Sequence, residues 1–414
     1  MRRRVAAQKG EMLPQQGEGG GARGAYHIGV MQAYLENGYA FDGFVGTSIG
    51  AVNAAILAQG DFDKALELWK NISMDQLFDV DEQHFLRFIN HGELHFDREL
   101  PSHLRKALWK IIKSSGIDTV KMKEFLEVYI DEEKIRTAGK DFGLVTVSIN
   151  ERKPYELMLE EIPRGALVDF VMASSSFPGF QPETIEENKF LDGALYNNCP
   201  VNLLVKKGYT EIIAVRTNAP GVLRKIDSAT KVTVITPNEN LGSIMLFTPQ
   251  NSEANIKLGY YDGLRSIKKL RGQKYYVSPA NAAGVLSQLA AVADYTILEI
   301  GKILNIPAMP AKRMMFEKII PQLGSHLKLN KDFGYVDFAV AVVEQLAVKR
   351  GVERYRVYEY GEFLEIVKKA ALPEKRIKIM DKVSDSGFLN RKKAAVKLLA
   401  ENILGTKHII EKGL

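Results

Sequence analysis

Cysteine is almost absent from this sequence: Cys199 is the only one in 414 residues. A single thiol excludes an internal disulfide, and it suggests a reducing compartment. Cys199 stands in the segment NNCP. We expect it to be a small buried residue, because free cysteine behaves as a small apolar side chain.

Long hydrophobic runs are also absent. No segment reaches the roughly 18 consecutive apolar residues that a transmembrane helix needs. The nearest candidate, residues 284–308, is interrupted by Asp294, Glu299 and Lys302. The first residues, MRRRVAAQKGEMLPQQ, are basic, but the apolar core of a secretory signal does not follow them. We therefore expect a cytoplasmic protein that does not span a membrane, either free or at the inner face of the membrane.

Acidic residues are outnumbered, with 50 Asp and Glu against 56 Lys and Arg, a net charge of +6. Residues 365–414 hold 12 Lys and Arg against 6 Asp and Glu, which equals the whole excess, and RSIKKLRGQK at 265–274 is a second basic cluster. Basic surfaces attract anionic lipid headgroups or nucleic acid. The chain lacks an RNA-reading motif and basic–aromatic interleaving, so we expect no nucleic-acid partner. A peripheral membrane contact and a plain solvated face are the two alternatives. No feature indicates an oligomeric state.

Strand-like and helix-like runs alternate in the first part of the chain. Helical spacing of apolar residues predicts helices over 25–37 and 51–59. Strands are predicted over 142–149, 155–162, 211–216 and 231–237. This alternation predicts an α/β sheet with helices on both faces. From about residue 280 onward only helix-like runs occur. We therefore predict an N-terminal tail at 1–16, a catalytic domain at 17–280 and a helical C-terminal region at 281–414.

The segment GEGGGARGAYHIGV, residues 17–30, is unusually rich in glycine. Gly19, Gly21 and Gly24 fit the dinucleotide-binding pattern G-x-G-x-x-G, and Asp42 follows 18 residues after Gly24. That pattern requires a buried apolar strand before the glycines, whereas MLPQQGE is polar and contains Pro14. Asp42 also lies before its short strand, whereas the acidic residue that binds the ribose in a dinucleotide site lies at the carboxyl end of a strand. The sequence therefore disfavours a nucleotide site.

A nucleophile elbow is the second candidate. Gly46-Thr47-Ser48-Ile49-Gly50 fits G-x-S-x-G, in which the serine lies on a sharp turn between a strand and a helix with its hydroxyl exposed. The strand-like FDGFV and the helix-like AVNAAILAQ flank it as that geometry requires. Acyl transfer also needs donors for a tetrahedral oxyanion, and the N–H groups of a glycine-rich turn before a helix are suited to this role.

A serine nucleophile needs a base. A Ser-Asp-His hydrolase would place a histidine late in the chain, where only His326 and His408 occur, both in the helical region and in no recognisable motif. His27, one turn into the first predicted helix, is more typical of a packing or surface residue. Asp192, in FLDGALYNNCP, is the better candidate, since it ends an apolar run. A plain β-turn at Asp192-Gly193 is the alternative interpretation.

Metal catalysis is not indicated. HGELH places His91 and His95 four residues apart, but Glu93 is at the wrong offset for a zinc motif and Gly92 disfavours a helix. We expect a surface loop there, with no metal and no cofactor.

Four segments together resemble the patatin-like phospholipase family in order and spacing. They are GGGARG (19–24), GTSIG (46–50), ASSSFPGFQP (173–182) and DGA (192–194). The resemblance covers about residues 17–265. It departs from the family at two points: the run before the glycines is polar instead of apolar, and DGA stands where many members have DGG.

The resemblance implies a three-layer α/β sandwich around a central, mostly parallel sheet, followed by a helical C-terminal region. It implies hydrolysis of lipid acyl esters by a Ser–Asp dyad without histidine, with Ser48 as nucleophile and Asp192 as base. The N–H groups of Gly19, Gly20 and Gly21 would then form the oxyanion hole.

Arg23 would order the glycine turn, because a cation at the start of a helix is unfavourable with the helix dipole and suggests a fixed partner. A carboxylesterase of soluble substrates and a catalytically idle lipid-binding protein of the same fold are the alternatives.

Overall fold

The structure is a computed structural model that describes residues 12–78, 117–225, 230–371 and 388–405. Contacts divide the chain into two compact units, with the boundary between Leu264 and Arg265. The first unit is built around an eight-stranded sheet, and the second is mainly helical.

The first unit alternates strands and helices over most of its length. Its strands are β1 (Met12–Gly17), β2 (Ala40–Thr47), β3 (Asp141–Ser148), β4 (Lys153–Met158), β5 (Glu183–Ile185), β6 (Asn188–Asp192), β7 (Glu211–Val215) and β8 (Lys231–Ile235). Its helices are α1 (Ala25–Glu36), α2 (Ile49–Ala58), α3 (Phe62–Asn71), α4 (Met74–Leu77), α5 (Val120–Tyr129), α6 (Glu132–Thr137), α7 (Leu167–Ser174), α8 (Val201–Lys206) and α9 (Pro249–Lys268). The helices predicted over 25–37 and 51–59 correspond to α1 and α2.

The sheet has the strand order β5-β6-β3-β2-β1-β7-β8, with β4 also paired to β3. The pairings β3–β2, β2–β1, β1–β7 and β7–β8 are parallel, while β4, β5 and β6 join by antiparallel pairings. The prediction of an α/β fold with a mostly parallel central sheet and a helical C-terminal region is confirmed. One apolar core of this unit packs α8 against β2, β3 and β7 through Val45, Val145, Leu203 and Ile212.

Strand β1 covers residues 12–16 of the segment that the sequence predicted as a tail over 1–16, of which residues 1–11 lie outside the described residues. Met12–Gly17 pairs in parallel with β2 on one side, and Gln15–Gly17 pairs with β7 on the other. The register with β2 shifts between Leu13 and Pro14. A proline is tolerated at a bulge, because its missing N–H then breaks no regular ladder bond. The polar composition of MLPQQG therefore hid a strand at the centre of the sheet.

The second unit contains the helices α10 (Ala282–Ala290), α11 (Asp294–Ile303), α12 (Ala311–Met314), α13 (Ile320–His326), α14 (Tyr335–Lys349), α15 (Tyr360–Lys369) and α16 (Phe388–Gly405), with a π-helical turn over Met315–Ile319. Two short strands, β9 (Tyr276–Val277) and β10 (Val357–Tyr358), pair in parallel. On α16 the buried residues are Ala395, Val396, Leu399, Ala400, Ile403 and Leu404. This spacing defines one apolar helix face, which packs into the core of the unit.

The observed boundary at 264/265 lies before the predicted one at 280/281. The predicted boundary was placed where the strand-like sequence patterns end. The contacts instead assign residues 265–280 to the helical unit, where the buried Glu344 of α14 accepts the N–H groups of Gln273, Lys274 and Tyr275.

Among the residues described, no single helix combines the length and apolar composition that crossing a bilayer requires. The helices α10 and α11 meet that criterion only as a pair, and they are bent by 81° at the break between them.

Candidate active site

Ser48 lies at the sharp turn between β2 and α2. Its φ of 57° and ψ of −132° place it in a backbone region that non-glycine residues rarely adopt. The Ser48 N–H donates to Ser174 Oγ at 3.0 Å, and Ser174 Oγ donates in turn to the Val145 carbonyl at 2.7 Å. These two bonds hold the strained turn against β3. Ser48 itself is only partly buried, so its position suits a nucleophile that a substrate can reach.

Sheet register brings Asp192 to Ser48. The last pair between β2 and β3 joins Thr47 to Val145, and the next residue of β3, Thr146, pairs with Asp192 of β6. Since β4 occupies the other edge of β3 along this stretch, β6 lies on the same side as β2 and runs in the opposite direction. The carboxyl end of β2 therefore meets the carboxyl end of β6, and Ser48 and Asp192 come together across 144 residues of sequence.

The Asp192 carboxylate is 2% exposed and has few hydrogen-bond donors. Its Oδ1 accepts the Ala194 N–H at 2.8 Å, and the carboxylate also accepts the Ser48 hydroxyl. Burial raises the pKa of Asp192 to about 6, although both hydrogen bonds act to lower it. A carboxylate with such a pKa can accept a proton near neutral pH far better than an aspartate in water.

The glycine turn follows β1 directly. Gly17 pairs with Gly46, so the residues after it lie beside Thr47 and Ser48. A Cβ on Gly19 would stand 3.0 Å from the Ser48 Cβ. Gly21 has a φ of 52°, and a Cβ there would stand 2.0 Å from the Ile244 carbonyl oxygen. Glycine is therefore required at 21 both by the backbone conformation and by the lack of space.

The structure corrects one member of the predicted oxyanion hole. The Gly19 N–H donates to Asn198 Oδ1 at 3.0 Å and also approaches the Asn198 carbonyl at 3.3 Å, so it is already satisfied within the protein. By contrast, no acceptor for the N–H groups of Gly20 or Gly21 exists among the described residues. Both glycines are partly exposed, whereas Gly19 is buried. The candidate oxyanion donors are therefore Gly20 and Gly21.

Arg23 reaches from the glycine turn to two other loops. Its Nε donates to the Gly242 carbonyl at 2.8 Å, and its Nη1 donates to the carbonyls of Asn218 at 3.2 Å and Thr217 at 3.5 Å. These three carbonyls are the fixed partners that a cation at a helix start requires. Its contacts are those expected of a residue that orders the loop.

Glu18, Thr217 and Asn198 hold the glycine turn, and sequence reasoning missed all three. The fully buried Glu18 carboxylate accepts Arg216 Nε at 3.1 Å and the Thr217 N–H at 2.6 Å. Thr217 Oγ1 donates to the Gly19 carbonyl at 2.9 Å. Gly19 is thus held at its carbonyl by Thr217 and at its N–H by Asn198. Only Asn198 had a nearby sequence signal, since it follows the Asp192 turn by a few residues.

The nucleotide alternative fails on strand polarity. Asp42 lies near the amino end of β2, whereas the glycines follow the carboxyl end of β1. Because β1 and β2 are parallel, these two positions lie at opposite ends of the sheet.

His27 is a core residue. It is 1% exposed, its Nδ1 lies 3.2 Å from Asn53 Nδ2, and burial lowers its pKa to about 3. Asn53 also binds the Gly24 carbonyl and Trp69 Nε1, so the cluster joins α1, α2 and α3. Cys199 is buried, as expected, and burial raises its pKa to about 12. His326 ends α13 in the helical unit.

His91, His95 and His408 lie outside the described residues. Across the part of the chain that is described, no group of three or more His, Cys, Asp or Glu side chains is arranged to hold a metal ion.

Comparison with known proteins agrees with the resemblance read from the motifs. Residues 18–205 match the sequence model of the patatin-like phospholipase family, a range that contains Ser48, Asp192 and the glycine turn. This match confirms the resemblance to the patatin-like phospholipase family over these residues.

Individual relatives are more distant. The uncharacterized protein L620 of Acanthamoeba polyphaga mimivirus is 26% identical, over 45% of this chain and 62% of that protein. Lysophospholipase NTE1 of Candida glabrata is 24% identical, over 70% of this chain and 15% of that protein. The matched region thus spans less than two thirds of the length of either relative. Among solved structures, VipD from Legionella pneumophila aligns over 96% of this chain and 86% of its own, at 13% identity and a TM-score of 0.39.

Proposed function

We propose that this protein is a serine acyl hydrolase that cleaves carboxylic esters of lipids through a Ser48–Asp192 dyad. One observation carries the proposal: a buried carboxylate with a raised pKa accepts the hydroxyl of a serine on a strained elbow. The patatin-like phospholipase match and the lysophospholipase named among the relatives support a lipid as the substrate.

The acylation step would use both members of the dyad. Asp192 takes the Ser48 proton as Oγ attacks the ester carbonyl carbon. The carbonyl oxygen becomes an oxyanion, which the N–H groups of Gly20 and Gly21 stabilise. When the tetrahedral intermediate collapses, protonated Asp192 gives its proton to the leaving alcohol or lysolipid. The products of this step are the acyl-enzyme and the free alcohol.

Deacylation would repeat the same steps with water. The Asp192 carboxylate takes a proton from water as the water oxygen attacks the acyl carbonyl, and the same N–H groups hold the second oxyanion. Ser48 leaves with the proton from Asp192, and the fatty acid is released. This chemistry requires no metal or cofactor, and the histidine of a Ser-Asp-His triad is replaced by the direct contact between Asp192 and Ser48.

The alternatives predict different behaviour at Ser48. A catalytically idle lipid-binding protein has no need for a strained serine beside a buried carboxylate, so the backbone strain at Ser48 and the burial of Asp192 support the hydrolase. A carboxylesterase of soluble substrates would share the dyad, and it differs from a lipase in substrate preference alone.

A peripheral contact with anionic lipid through the basic C-terminal surface belongs to the same proposal. In the described part of that region, Lys368, Lys369, Arg391 and Lys393 are exposed. Vesicle binding should strengthen with anionic lipid and weaken with added salt. Binding that responds to neither would leave these residues as an ordinary solvated face.

Labelling with a fluorophosphonate ester tests the proposal directly. Such a reagent traps an activated serine, and intact mass reports the adduct. We expect an adduct on the wild type and on Ser287→Ala, a control at an exposed serine of α10, but none on Ser48→Ala. An adduct that persists on Ser48→Ala would assign the reactive serine elsewhere. No adduct on any variant would favour the idle lipid-binding alternative.

A further inference from the structure

We propose that Arg224, stacked on Tyr196, binds the anionic phosphodiester of a phospholipid whose ester lies at Ser48. This inference rests on the proposed function and adds the headgroup chemistry to it. It is carried by residues 216–225, the described first part of the loop that follows β7, and by their contacts with the residues after Asp192.

The loop lies at the same edge of the sheet as the dyad. β7 is parallel to β1, so the loop after β7 begins beside the glycine turn, and Thr217 Oγ1 binds the Gly19 carbonyl there at 2.9 Å. Farther along, the Val222 N–H donates to the Ala194 carbonyl at 2.9 Å, and the Asn198 N–H donates to the Val222 carbonyl at 2.7 Å. These bonds fix the loop against the turn that follows Asp192.

Arg224 is oriented by this arrangement. Its guanidinium carbon lies 3.8 Å from the centre of the Tyr196 ring, and its Nε donates to the Tyr196 carbonyl at 3.3 Å. Tyr196 is partly buried and packs against the core formed by α8 and the sheet. The ring therefore holds the planar guanidinium in place. A fixed guanidinium with free edges suits bidentate binding of phosphate oxygens.

Arg224 has no carboxylate partner among the residues that the structure describes. Residues 216–225 themselves contain no Asp or Glu. Lys225 next to it is exposed, and the side chain of Leu223 is 47% exposed. Two cations beside an exposed leucine match an amphiphile with an anionic group. A neutral ester would leave both cations unused.

The distance along the chain fits one small substrate. Asp192 and Tyr196 are separated by the 3-10 turn Gly193–Leu195, and a 3-10 turn rises about 2 Å per residue, or ~8 Å over four residues. In a glycerophospholipid only the glycerol carbons and two oxygens separate the ester carbonyl from phosphorus. This separation is of the size that one glycerophospholipid spans, so an ester at Ser48 and a phosphate at Arg224 would be parts of one molecule.

The test compares two substrates with the same acyl chain in the full-length protein. Lysophosphatidylglycerol carries the phosphodiester, and monoacylglycerol lacks it. Both are used below their aggregation concentrations, so that attraction to a charged interface does not contribute. For Arg224→Gln we expect kcat/KM on lysophosphatidylglycerol to fall about 10- to 100-fold, chiefly through KM, because a charge-assisted bond is lost. Activity on monoacylglycerol should not change.

Two further variants sharpen the result. Arg354→Gln is the matched control, because Arg354 also stacks on a tyrosine, with its guanidinium carbon 4.8 Å from the Tyr355 ring centre, but it lies in the helical unit. It should leave both activities unchanged. Arg224→Lys should give an intermediate loss on lysophosphatidylglycerol, since it retains the charge but not the planar fork.

Four outcomes would overturn the inference. An equal loss on both substrates would make Arg224 a structural residue, and no loss on either would remove it from substrate binding. A wild-type protein that hydrolyses only monoacylglycerol would refute phosphodiester recognition while the proposed function stands. Failure of the wild type on both substrates, together with no fluorophosphonate adduct, would refute the proposed function and this inference with it.

Discussion

Each unit of this chain buries a carboxylate almost completely, and the two differ in their donors. In the α/β unit, Asp192 is 2% exposed and accepts one backbone N–H together with the Ser48 hydroxyl. In the helical unit, Glu344 is 1% exposed and accepts the N–H groups of Gln273, Lys274 and Tyr275 at 2.6–3.0 Å.

Burial raises the pKa of both groups, so burial alone does not distinguish a site from a structural anchor. Glu344 has several strong donors that cannot leave, because they belong to the backbone of one turn. Asp192 has a donor that can give up its proton. A buried carboxylate therefore becomes a candidate base when one of its few hydrogen-bond donors is itself a nucleophile, as the Ser48 hydroxyl is for Asp192.

The largest expected effect comes from Asp192→Asn. An amide cannot take the Ser48 proton, so kcat/KM should fall about 10⁴-fold, as for loss of the acid in other serine hydrolases. The asparagine side chain has nearly the same shape as aspartate and can still accept the Ala194 N–H, so circular dichroism and thermal unfolding should still report a folded protein. Turnover at the wild-type rate would remove Asp192 from the mechanism and make it a structural carboxylate like Glu344.

Asn198→Ala tests whether the hydrogen bond from the Gly19 N–H to Asn198 Oδ1 positions Gly20 and Gly21. Loss of the Oδ1 acceptor leaves the Gly19 N–H with only the Asn198 main-chain carbonyl at 3.3 Å and loosens the turn. We expect kcat to fall about 10- to 100-fold, with KM little changed, because the donors to the oxyanion are misplaced. Steady-state kinetics separate the two constants. Asn402→Ala, on α16, is the control. A change confined to KM would show that Asn198 contacts substrate instead of positioning the turn.

Glu344→Gln tests the structural side of the comparison. The amide retains one acceptor oxygen but loses the charge and presents an NH₂ group to the buried N–H groups. We expect the helical unit to lose about 1–3 kcal/mol of stability, which hydrogen exchange at residues 273–275 should report as faster exchange. Turnover should be retained. A Glu344→Gln variant with unchanged hydrogen exchange but lost turnover would contradict the assignment of Glu344 as the structural carboxylate and Asp192 as the base.

The smallest expected effect is the pH dependence of the wild type. Asp192 acts as a base only when deprotonated, and its pKa is raised to about 6. Activity should therefore fall about tenfold per pH unit below pH 6 and level off above it, in a kcat/KM profile on a soluble ester. A plateau extending down to about pH 4 would mean that the carboxylate behaves as an aspartate in water.

The elbow and the acid could be predicted because their signals are local. Gly46 to Gly50 lie between a strand-like and a helix-like run, and Asp192 ends an apolar run before a glycine. The structure confirms both contexts, with Ser48 between β2 and α2 and Asp192 at the end of β6. Their catalytic roles stay predictions until they are tested.

The errors lie where the deciding contacts are distant in sequence. Strand β1 looks like a polar tail, but it is held between β2 and β7 by backbone hydrogen bonds that do not depend on side-chain polarity. The prediction for Gly19 failed for a related reason, because its N–H partner, Asn198, lies 179 residues away.

By itself, the sequence determined the α/β and helical parts of the chain, the elbow at Ser48, the turn at Asp192 and the glycines between β1 and α1. Local spacing and turn chemistry decide such features. The tertiary structure alone decided that Ser48 meets Asp192, that Gly20 and Gly21 are left as donors, and that Arg224 stacks on Tyr196. Each of these depends on strand register and loop contacts between distant residues, which no short segment of sequence encodes.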